Sequence, residues 1–176
     1  MTIPPPISLR KVEVVPALIE QEQILSNLLE LYAHDFSEFM DLKLGPDGRF
    51  GYEHLRLYWR EPDRHPFLIL VNGNLAGFVF VQRGSQISAE TDVWDMAEFF
   101  IARGSRRLGV GMKAAHEIWK KFPGKWEVRV INRNQEAKEF WTRAIAAFLG
   151  GTINATSFEK NGAGWQLFSF ESQDAA

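Results

Sequence analysis

The stretch that decides the fold is IARGSRRLGVGMKAAHEIWKKF, residues 101–122. It joins the end of an apolar strand to an amphipathic helix through a loop rich in glycine and arginine. The first turn of a helix leaves backbone N–H groups without partners, and the helix dipole adds to their attraction for an anion. Gly109 and Gly111 carry no Cβ atom, so a bulky ligand can approach the backbone there. The stretch therefore predicts either an anion-binding helix start or a solvated basic helix face.

The charge of this segment favours a small polyanion as the ligand. Between Arg103 and Lys125 the chain has seven basic residues and one acidic residue, Glu117, whereas the whole chain has a formal net charge of -2. A domain that binds nucleic acid usually carries a basic surface and a strongly basic balance. A short basic patch in a slightly acidic chain therefore argues against a nucleic-acid partner.

Composition bounds the class of protein. The length of 176 residues suits one domain. The chain has no cysteine, which excludes a disulfide framework and thiolate chemistry and is typical of a cytoplasmic protein. Its first residues lack the layout of a signal peptide, and no apolar run approaches the ~20 residues that a membrane helix needs. The four histidines show no metal-ligand spacing, so we expect no metal site. From the absence of cysteine and of a long apolar run we expect a cytoplasmic protein with no membrane partner.

Apolar periodicity and turn residues predict alternating strands and helices. Asn72-Gly73 and Asn161-Gly162 each lie between apolar runs, as in tight β-hairpins. Asn134 precedes apolar residues at helical spacing and is typical of a helix N-cap. The other predicted elements are a strand over 7–15, a helix with Pro16 in its first turn, a loop–short helix–loop over 41–66, a strand over 92–102, a helix over 109–122 and a strand over 125–131. This order predicts a mixed α/β domain.

Three phosphate-binding patterns can be compared with the loop. The Walker A pattern fails because Val110 stands where lysine is required. The dinucleotide fingerprint is matched by Gly109, Gly111 and Ala114, but the preceding strand ends too far from the first glycine and the next strand lacks the expected acidic residue. These departures disfavour a nucleotide-dependent oxidoreductase. The third pattern, R-x-x-G-x-G, is matched by Arg106, Gly109 and Gly111.

The third pattern resembles motif A of the GNAT superfamily of acyl-CoA-dependent N-acyltransferases. In that family a strand, a loop of the form Q/R-x-x-G-x-G/A and a helix start cradle the pyrophosphate of coenzyme A. A second stretch, NRNQEAKEFW over residues 132–141, resembles the family's next motif through Asn134, Ala137, Phe140 and Trp141. The resemblance covers about residues 8–170, which is nearly the whole chain.

The resemblance implies a fold and an activity. The expected fold is one α/β domain over residues 1–176, with a twisted mixed sheet of about six or seven strands, splayed between strands 4 and 5 and flanked by about four helices. The expected activity is N-acetyltransferase, which moves an acetyl group from acetyl-CoA directly to an amine. The alternative is a non-catalytic protein of the same fold that binds or senses acyl-CoA. The acceptor, a small-molecule or peptide amine, is not readable from the sequence, and exposed edges in the last hairpin are consistent with a homodimer.

The use of coenzyme A by this family implies roles for particular residues. The pantetheine arm would bond to the backbone of Phe99, Phe100 and Ile101, and Asn134 would hold it from the other side. A side chain at Gly111 is expected to obstruct the pyrophosphate. The residues expected to meet the pyrophosphate or to add charge beside it are Arg106, Arg107, Leu108, Gly109, Val110, Gly111 and Met112.

Direct transfer needs an uncharged amine, which a nearby carboxylate can provide by accepting the proton. Glu98 is the candidate general base because a strand row of Met96, Glu98 and Phe100 would surround it with apolar groups and raise its pKa. Asp95 is expected on the opposite pleat and is the second choice, unless a β-bulge changes which side chains face the cleft. An alternative role for Glu98 is a cross-strand pair with Arg129.

Trp141 is the main departure from the family pattern. Many relatives have a tyrosine at this position, which can protonate the leaving thiolate. An indole is not a useful proton donor, so the chain is expected to represent a subgroup of the family. Three alternatives remain open. Water or another residue can protonate the thiolate, coenzyme A can leave as the thiolate, or the protein can bind acyl-CoA without turnover. Trp141 also fits the apolar stripe of its helix and can simply be part of the core.

Overall fold

A computed structural model describes residues 10–173, and these form one mixed sheet of seven strands with four α-helices. The strands are β1 (Val12–Pro16), β2 (Arg64–Val71), β3 (Asn74–Arg83), β4 (Trp94–Ile101), β5 (Gly124–Ile131), β6 (Thr156–Lys160) and β7 (Ala163–Ser172). The helices are α1 (Glu22–Phe36), α2 (Leu57–Arg60), α3 (Val110–Lys121) and α4 (Gln135–Leu149), with 3-10 turns at Ile19–Gln21 and Arg103–Ser105. No helix within residues 10–173 is long and apolar enough to cross a membrane.

The sheet opens between its fourth and fifth strands. The strand order is β1-β2-β3-β4-β5-β7-β6, and only the β4–β5 pair is parallel. That pair is joined only where Trp94 faces Trp126 and Asp95 faces Glu127. β4 runs on to Ile101 and β5 to Ile131 without further pairing to each other. The predicted mixed sheet with a splay between strands 4 and 5 is therefore confirmed.

The core lies on both faces of the sheet. Helices α3 and α4 cover one face, which we call the α3 face, and helices α1 and α2 cover part of the other, the α1 face. On the α3 face, residues Trp126, Val128 and Val130 of β5 are buried together, as their alternation in the sequence predicts. The buried residues of the α1-face cluster come from α1, α2, the loops beside them and strands β2, β3 and β4. Within the described part of the chain, that cluster therefore leaves the same face of β5, β7 and β6 without a helix over it.

The two predicted Asn-Gly hairpins are confirmed, whereas the predicted start of the first helix at Pro16 is wrong. Positive φ angles of 51° at Asn72 and 52° at Asn161 accompany the two predicted hairpins. Pro16 does not open a helix: it is the last residue of β1 and lies opposite Phe67. An edge strand tolerates proline because one side of it makes no ladder hydrogen bonds. The predicted strand also began at Ile7, and residues 7–9 lie outside the described residues.

A β-bulge in β4 changes the faces of its side chains. Phe80 lies opposite Glu98, but Val81 lies opposite Met96, so Ala97 is an extra residue in β4. Met96 is consequently buried on the α3 face, whereas Phe100 is buried on the α1 face. The predicted row of Met96, Glu98 and Phe100 is therefore wrong. The extra residue also brings Asp95 to the same face as Glu98, so its predicted place on the opposite pleat is wrong too.

Gly77 permits the close approach of β3 to β4 beside the opening. A Cβ atom at this position would lie 2.0 Å from the carbonyl oxygen of Phe100. We expect Gly77→Ala to lower the free energy of unfolding by about 2–3 kcal/mol, because two paired backbones must move apart. Chemical denaturation measures the change, and Gly104→Ala is the control because a Cβ atom there meets nothing within 4 Å. Equal stability of the two variants would contradict the prediction.

Candidate active site

The opening between β4 and β5 exposes backbone polar groups of β4. Ala102 N–H donates to Ala76 C=O at 2.8 Å, so the alternation of the antiparallel ladder turns the peptide groups of Phe100 toward β3. The same alternation turns those of Phe99 and Ile101 toward the opening. The Ile101 carbonyl is already occupied, because Arg106 Nε donates to it at 2.7 Å. The N–H and C=O of Phe99 and the N–H of Ile101 are therefore the groups that a ligand in the opening can reach.

A row of backbone donors lies where β4 leads into α3. The N–H groups of Ser105, Arg106 and Lys113 donate to carbonyls of the loop. The six N–H groups between them, from Arg107 to Met112, donate to no partner within residues 10–173. Three of them belong to the first turn of α3, where the helix dipole adds to their attraction for an anion. The geometry is that of an anion cradle.

Arg106 anchors this loop instead of pointing into the cradle. Its Nη2 bonds to Asp35 Oδ2 at 2.5 Å, and Arg103 bonds to the other carboxylate oxygen, Oδ1, at 2.7 Å. Burial alone would raise the pKa of Asp35, but the hydrogen bonds and charges of the two arginines outweigh it and lower the pKa. Asp35, on α1, thus fixes both ends of the 3-10 turn that precedes the row of donors. A direct contact of Arg106 with an anion stays a prediction.

Other predicted ligand-binding residues lie around the cradle. Arg107 extends into solvent and reaches Glu136 of α4 at 3.2 Å, an exposed pair that adds little stability. Asn134 caps α4, since its Oδ1 accepts from Ala137 N–H at 3.0 Å. Leu108 packs against the core of the α3 face, and Val110 is buried within it.

Gly111 serves helix packing. A Cβ atom there would lie 3.1 Å from Cζ of Phe140 and 3.5 Å from Cγ1 of Ile101. A Cβ atom would therefore require the Phe140 ring of α4 to move by a few tenths of an ångström. That a side chain there would also obstruct the pyrophosphate stays a prediction.

Glu98 lies on the α1 face among phenols. Tyr52 Oη donates to its Oε1 at 3.2 Å, and Tyr32 of α1 also interacts with the carboxyl group. Burial raises the pKa of Glu98, and the phenols and the charge of Arg129 offset only part of that increase. The pKa of Tyr32 is raised well above its usual value by burial and by the Glu98 charge, so Tyr32 stays protonated at neutral pH. A carboxyl group with two phenol neighbours keeps lone pairs free to accept a proton.

Arg129 pairs with Asp95 and not with Glu98. Its Nε and Nη2 donate to the two oxygens of Asp95 at 3.2 and 2.9 Å, and Gln82 adds a bond of 3.0 Å. Asp95 is fully buried, and burial raises its pKa against the effect of Arg129. The pair engages Asp95 and leaves Glu98 without a salt bridge among the described residues, which excludes the predicted cross-strand pair of Glu98 with Arg129.

Trp141 lies on the α3 side of the opening and is 6% exposed. Its ring meets Phe99 of β4 at 4.9 Å and Phe140 of α4 at 4.8 Å between centroids. Aromatic packing therefore holds α4 against the strand that borders the opening.

Sequence reasoning missed three contributors to this site. Asp35, Tyr32 and Tyr52 are far along the chain from the residues that they contact. Tyr32 and Asp35 are three residues apart on α1, so the helical period places them on one face. That period does not indicate which residues they contact.

Comparisons with known proteins agree with this geometry. A family model described as the acetyltransferase (GNAT) family matches residues 25–146. Among solved structures, an acetyltransferase from Thermus thermophilus is 13% identical with a TM-score of 0.66, over 92% of this chain and 97% of that one. Arabidopsis thaliana NAA60, in complex with a bisubstrate analogue, is 14% identical with a TM-score of 0.61, over 92% and 98%. At these identities the solved structures establish the fold. A search of curated proteins finds no matching sequence.

The role of Asp35 in the loop is testable by hydrogen exchange. In Asp35→Asn we expect the amides of residues 103–109 to exchange at least about tenfold faster, because two charge-assisted anchors are lost. Mass spectrometry of peptides from the loop measures the change, and Asp63→Asn, an exposed aspartate, is the control. The stabilisation by Asp35 should be complete above the usual aspartate pKa and should disappear as pH falls through the lowered pKa. Unchanged exchange in the loop would rule out the anchoring role.

Proposed function

Since the chain belongs to the GNAT family of acetyltransferases, we propose that it transfers an acetyl group from acetyl-CoA directly to the amine of a small molecule or peptide. The observation that carries the proposal is the row of six unpartnered N–H groups from Arg107 to Met112 beside the opening in the sheet. Such a row, at the start of a helix, suits a pyrophosphate. In this proposal the pyrophosphate of acetyl-CoA binds there.

The pantetheine arm extends from that point into the opening. It bonds to the N–H and C=O of Phe99 and the N–H of Ile101, as a third strand would. Asn134 is available on the opposite side through its amide nitrogen, because only its Oδ1 is used in capping α4. The acyl group then lies at the inner end of the opening, near the bulge that carries Glu98.

The reaction requires one proton transfer before the acyl transfer. A primary amine with a pKa near ~10 is mostly protonated at neutral pH and has no lone pair to attack. Glu98 accepts that proton, directly or through water, and its raised pKa suits this role. The amine nitrogen then forms a bond to the thioester carbonyl carbon, the C–S bond breaks, and coenzyme A leaves with the sulfur electron pair. The second proton of the nitrogen passes through water to that sulfur or to solvent, which leaves a neutral amide. Tyr32 and Tyr52 hold the carboxyl group in place throughout.

A second candidate function is the binding of acyl-CoA without turnover. The observation that favours it is Trp141, which lies in an aromatic cluster and offers no phenol to the leaving sulfur. The two candidates share the anion cradle and differ only in chemistry. Release of free thiol in the presence of an amine separates them.

Calorimetric titration with acetyl-CoA, coenzyme A and NADH tests the proposal first. We expect both CoA species to bind in the micromolar range and NADH to give no heat. An amine screen that follows thiol release then tests turnover. Failure of both CoA species to bind would overturn both candidate functions, whereas binding without thiol release from any amine would favour the second.

The base role of Glu98 is testable by pH dependence. We expect Glu98→Gln to lower kcat/KM by about 10²–10⁴-fold at neutral pH, with unchanged affinity for acetyl-CoA in calorimetry. In the wild type, activity should fall as pH drops through the pKa of Glu98, which burial raises above the usual glutamate value. This acid limb should be absent in the variant. A variant that retained full activity and the same limb would place the base elsewhere.

Tyr52 provides a second test with a defined sign. Its hydrogen bond stabilises the charged carboxylate, so its loss in Tyr52→Phe should raise the pKa of Glu98 further. We therefore expect the acid limb of kcat/KM to move to higher pH, while the limb remains present. A pH–rate profile measures the shift, and Trp59→Phe on α2 is the aromatic control, because the Trp59 N–H bonds to Ala17 C=O and not to the Glu98 network. Movement of the limb to lower pH would contradict the assignment.

A further inference from the structure

A cavity of about 130 Å³ lies on the uncovered part of the α1 face. Its walls come from β5, from the hairpin of β6 and β7 and from the segment after α1. The lining residues are Met40, Arg129, Phe158, Lys160, Asn161, Ala163 and Trp165.

Strand register explains why these side chains converge. Ile131 lies opposite Trp165, and Trp165 lies opposite Phe158, so these three residues share one face with Arg129. Lys160 lies opposite Ala163 on that same face. Arg129 also extends toward the Asp95 carboxylate, three residues before Glu98. The cavity is therefore on the same side of the sheet as the candidate base.

The polar side-chain groups on the cavity walls are donors, apart from the neutral amide of Asn161. Arg129 uses Nε and Nη2 on Asp95, and its Nη1 has no partner within residues 10–173. The indole N–H of Trp165 is buried and also lacks a partner there. Lys160 donates to Gln86 C=O at 2.7 Å and keeps two further N–H groups. Among the residues that the structure describes, no carboxylate lines the cavity.

The charged side chains of the neighbouring segment lie outside the cavity, and about half of them are engaged in ion pairs. Residues 35–64 contain acidic and basic side chains in similar numbers, which gives no sign preference from the sequence alone. In the structure Asp35 pairs with Arg103 and Arg106, Lys43 with Asp41, Arg49 with Glu30, Arg56 with Glu22 and Arg64 with Glu61. The side chains of Glu38, Asp47, Glu53, Arg60 and Asp63 make no ion pair among the described residues, and none of them lines the cavity. Of the cationic groups on the described cavity walls, Arg129 forms a salt bridge with Asp95, whereas Lys160 forms none with a described carboxylate and acts on Asp95 only at longer range. A polycationic acceptor would find no free carboxylate on these described walls.

We propose that the amine acceptor carries a carboxylate, which binds in this cavity to the unpartnered donors of Arg129, Lys160 and Trp165. The inference rests on the proposed transferase function and names its substrate class: a small amine of the amino-acid type. A cavity of about 150 Å³ holds a molecule of the size of benzene. A carboxylate with a few adjoining carbon atoms therefore fills this one, against Met40 and Phe158.

Matched pairs of acceptors test the proposal. Thiol release is measured with a panel of free amino acids and with the corresponding amino-acid amides, which have the same side chains and no carboxylate. The amides have less basic amines and hence more free base at neutral pH, so a preference for the acids cannot come from amine reactivity. We expect kcat/KM to be at least about tenfold higher for the acids, as the loss of a charge-assisted bond predicts. Equal or better turnover of the amides would overturn the proposal.

Two variants locate the carboxylate. Lys160→Gln removes a charge, and Trp165→Phe keeps the aromatic ring but removes the indole N–H. Each should raise KM for the acids about tenfold, with little change in kcat or in KM for the amides. Lys160→Arg should restore most of the affinity, and Lys120→Gln, on the exposed side of α3, is the control. An equal rise in KM for acids and amides would assign these residues a structural role and contradict the proposal.

A binding measurement keeps the inference independent of turnover. Calorimetry compares N-acetylated amino acids with their amides on protein saturated with coenzyme A, or on protein alone if coenzyme A does not bind. Selective binding of the acids with no acetyl transfer would support the carboxylate site and remove the proposed activity. Acetyl transfer to amines with no preference for acids in either assay would support the proposed activity and overturn the carboxylate site.

Discussion

The site depends on one constraint: backbone hydrogen-bonding groups need partners, and β4 and β5 stop providing them to each other after Asp95. In an ordinary parallel pair the ladder would continue to the strand ends and the sheet would be closed. Here the strands separate, and α3 begins at the edge of the gap with its first N–H groups also free. Unpaired groups of a strand and of a helix start therefore meet at one place. A ligand with an amide-rich arm and an anionic end satisfies both sets.

The β-bulge at Ala97 determines where the proposed base lies. Without it, regular alternation would place Met96 and Glu98 on one face, and Asp95 on the other. The inserted residue brings Asp95 and Glu98 to the same face, where only Asp95 has an arginine partner among the described residues. Because Arg129 pairs with Asp95, Glu98 remains a partly buried carboxyl group without a salt bridge, and its neighbours are phenols. Two carboxylates on one strand thus have different surroundings: Asp95 pairs with an arginine, and Glu98 is left for the proposed role of base.

The sequence predicts those parts of the molecule whose causes are local. Both Asn-Gly hairpins, the α4 N-cap at Asn134 and the helix start after Gly109 follow from backbone preferences of a few residues. The family resemblance supplied the splay. The contacts of Glu98 were not predictable, because the bulge is fixed by pairing with β3 and the phenols come from residues 46 and 66 positions earlier. Likewise, nothing near Arg106 in sequence indicates that Asp35 will occupy its guanidinium group.

The last two turns of α1 touch both halves of the site. Tyr32 contacts the Glu98 carboxyl group, and Asp35 holds the loop that presents the anion cradle. Met40, shortly after the helix, lines the cavity on the acceptor side. A displacement of this short segment would alter the cradle, the base and the acceptor cavity together. If a substrate in the proposed function displaced this segment on binding, it would change the affinity of the other site, and thermodynamic reciprocity would require the same factor in both directions.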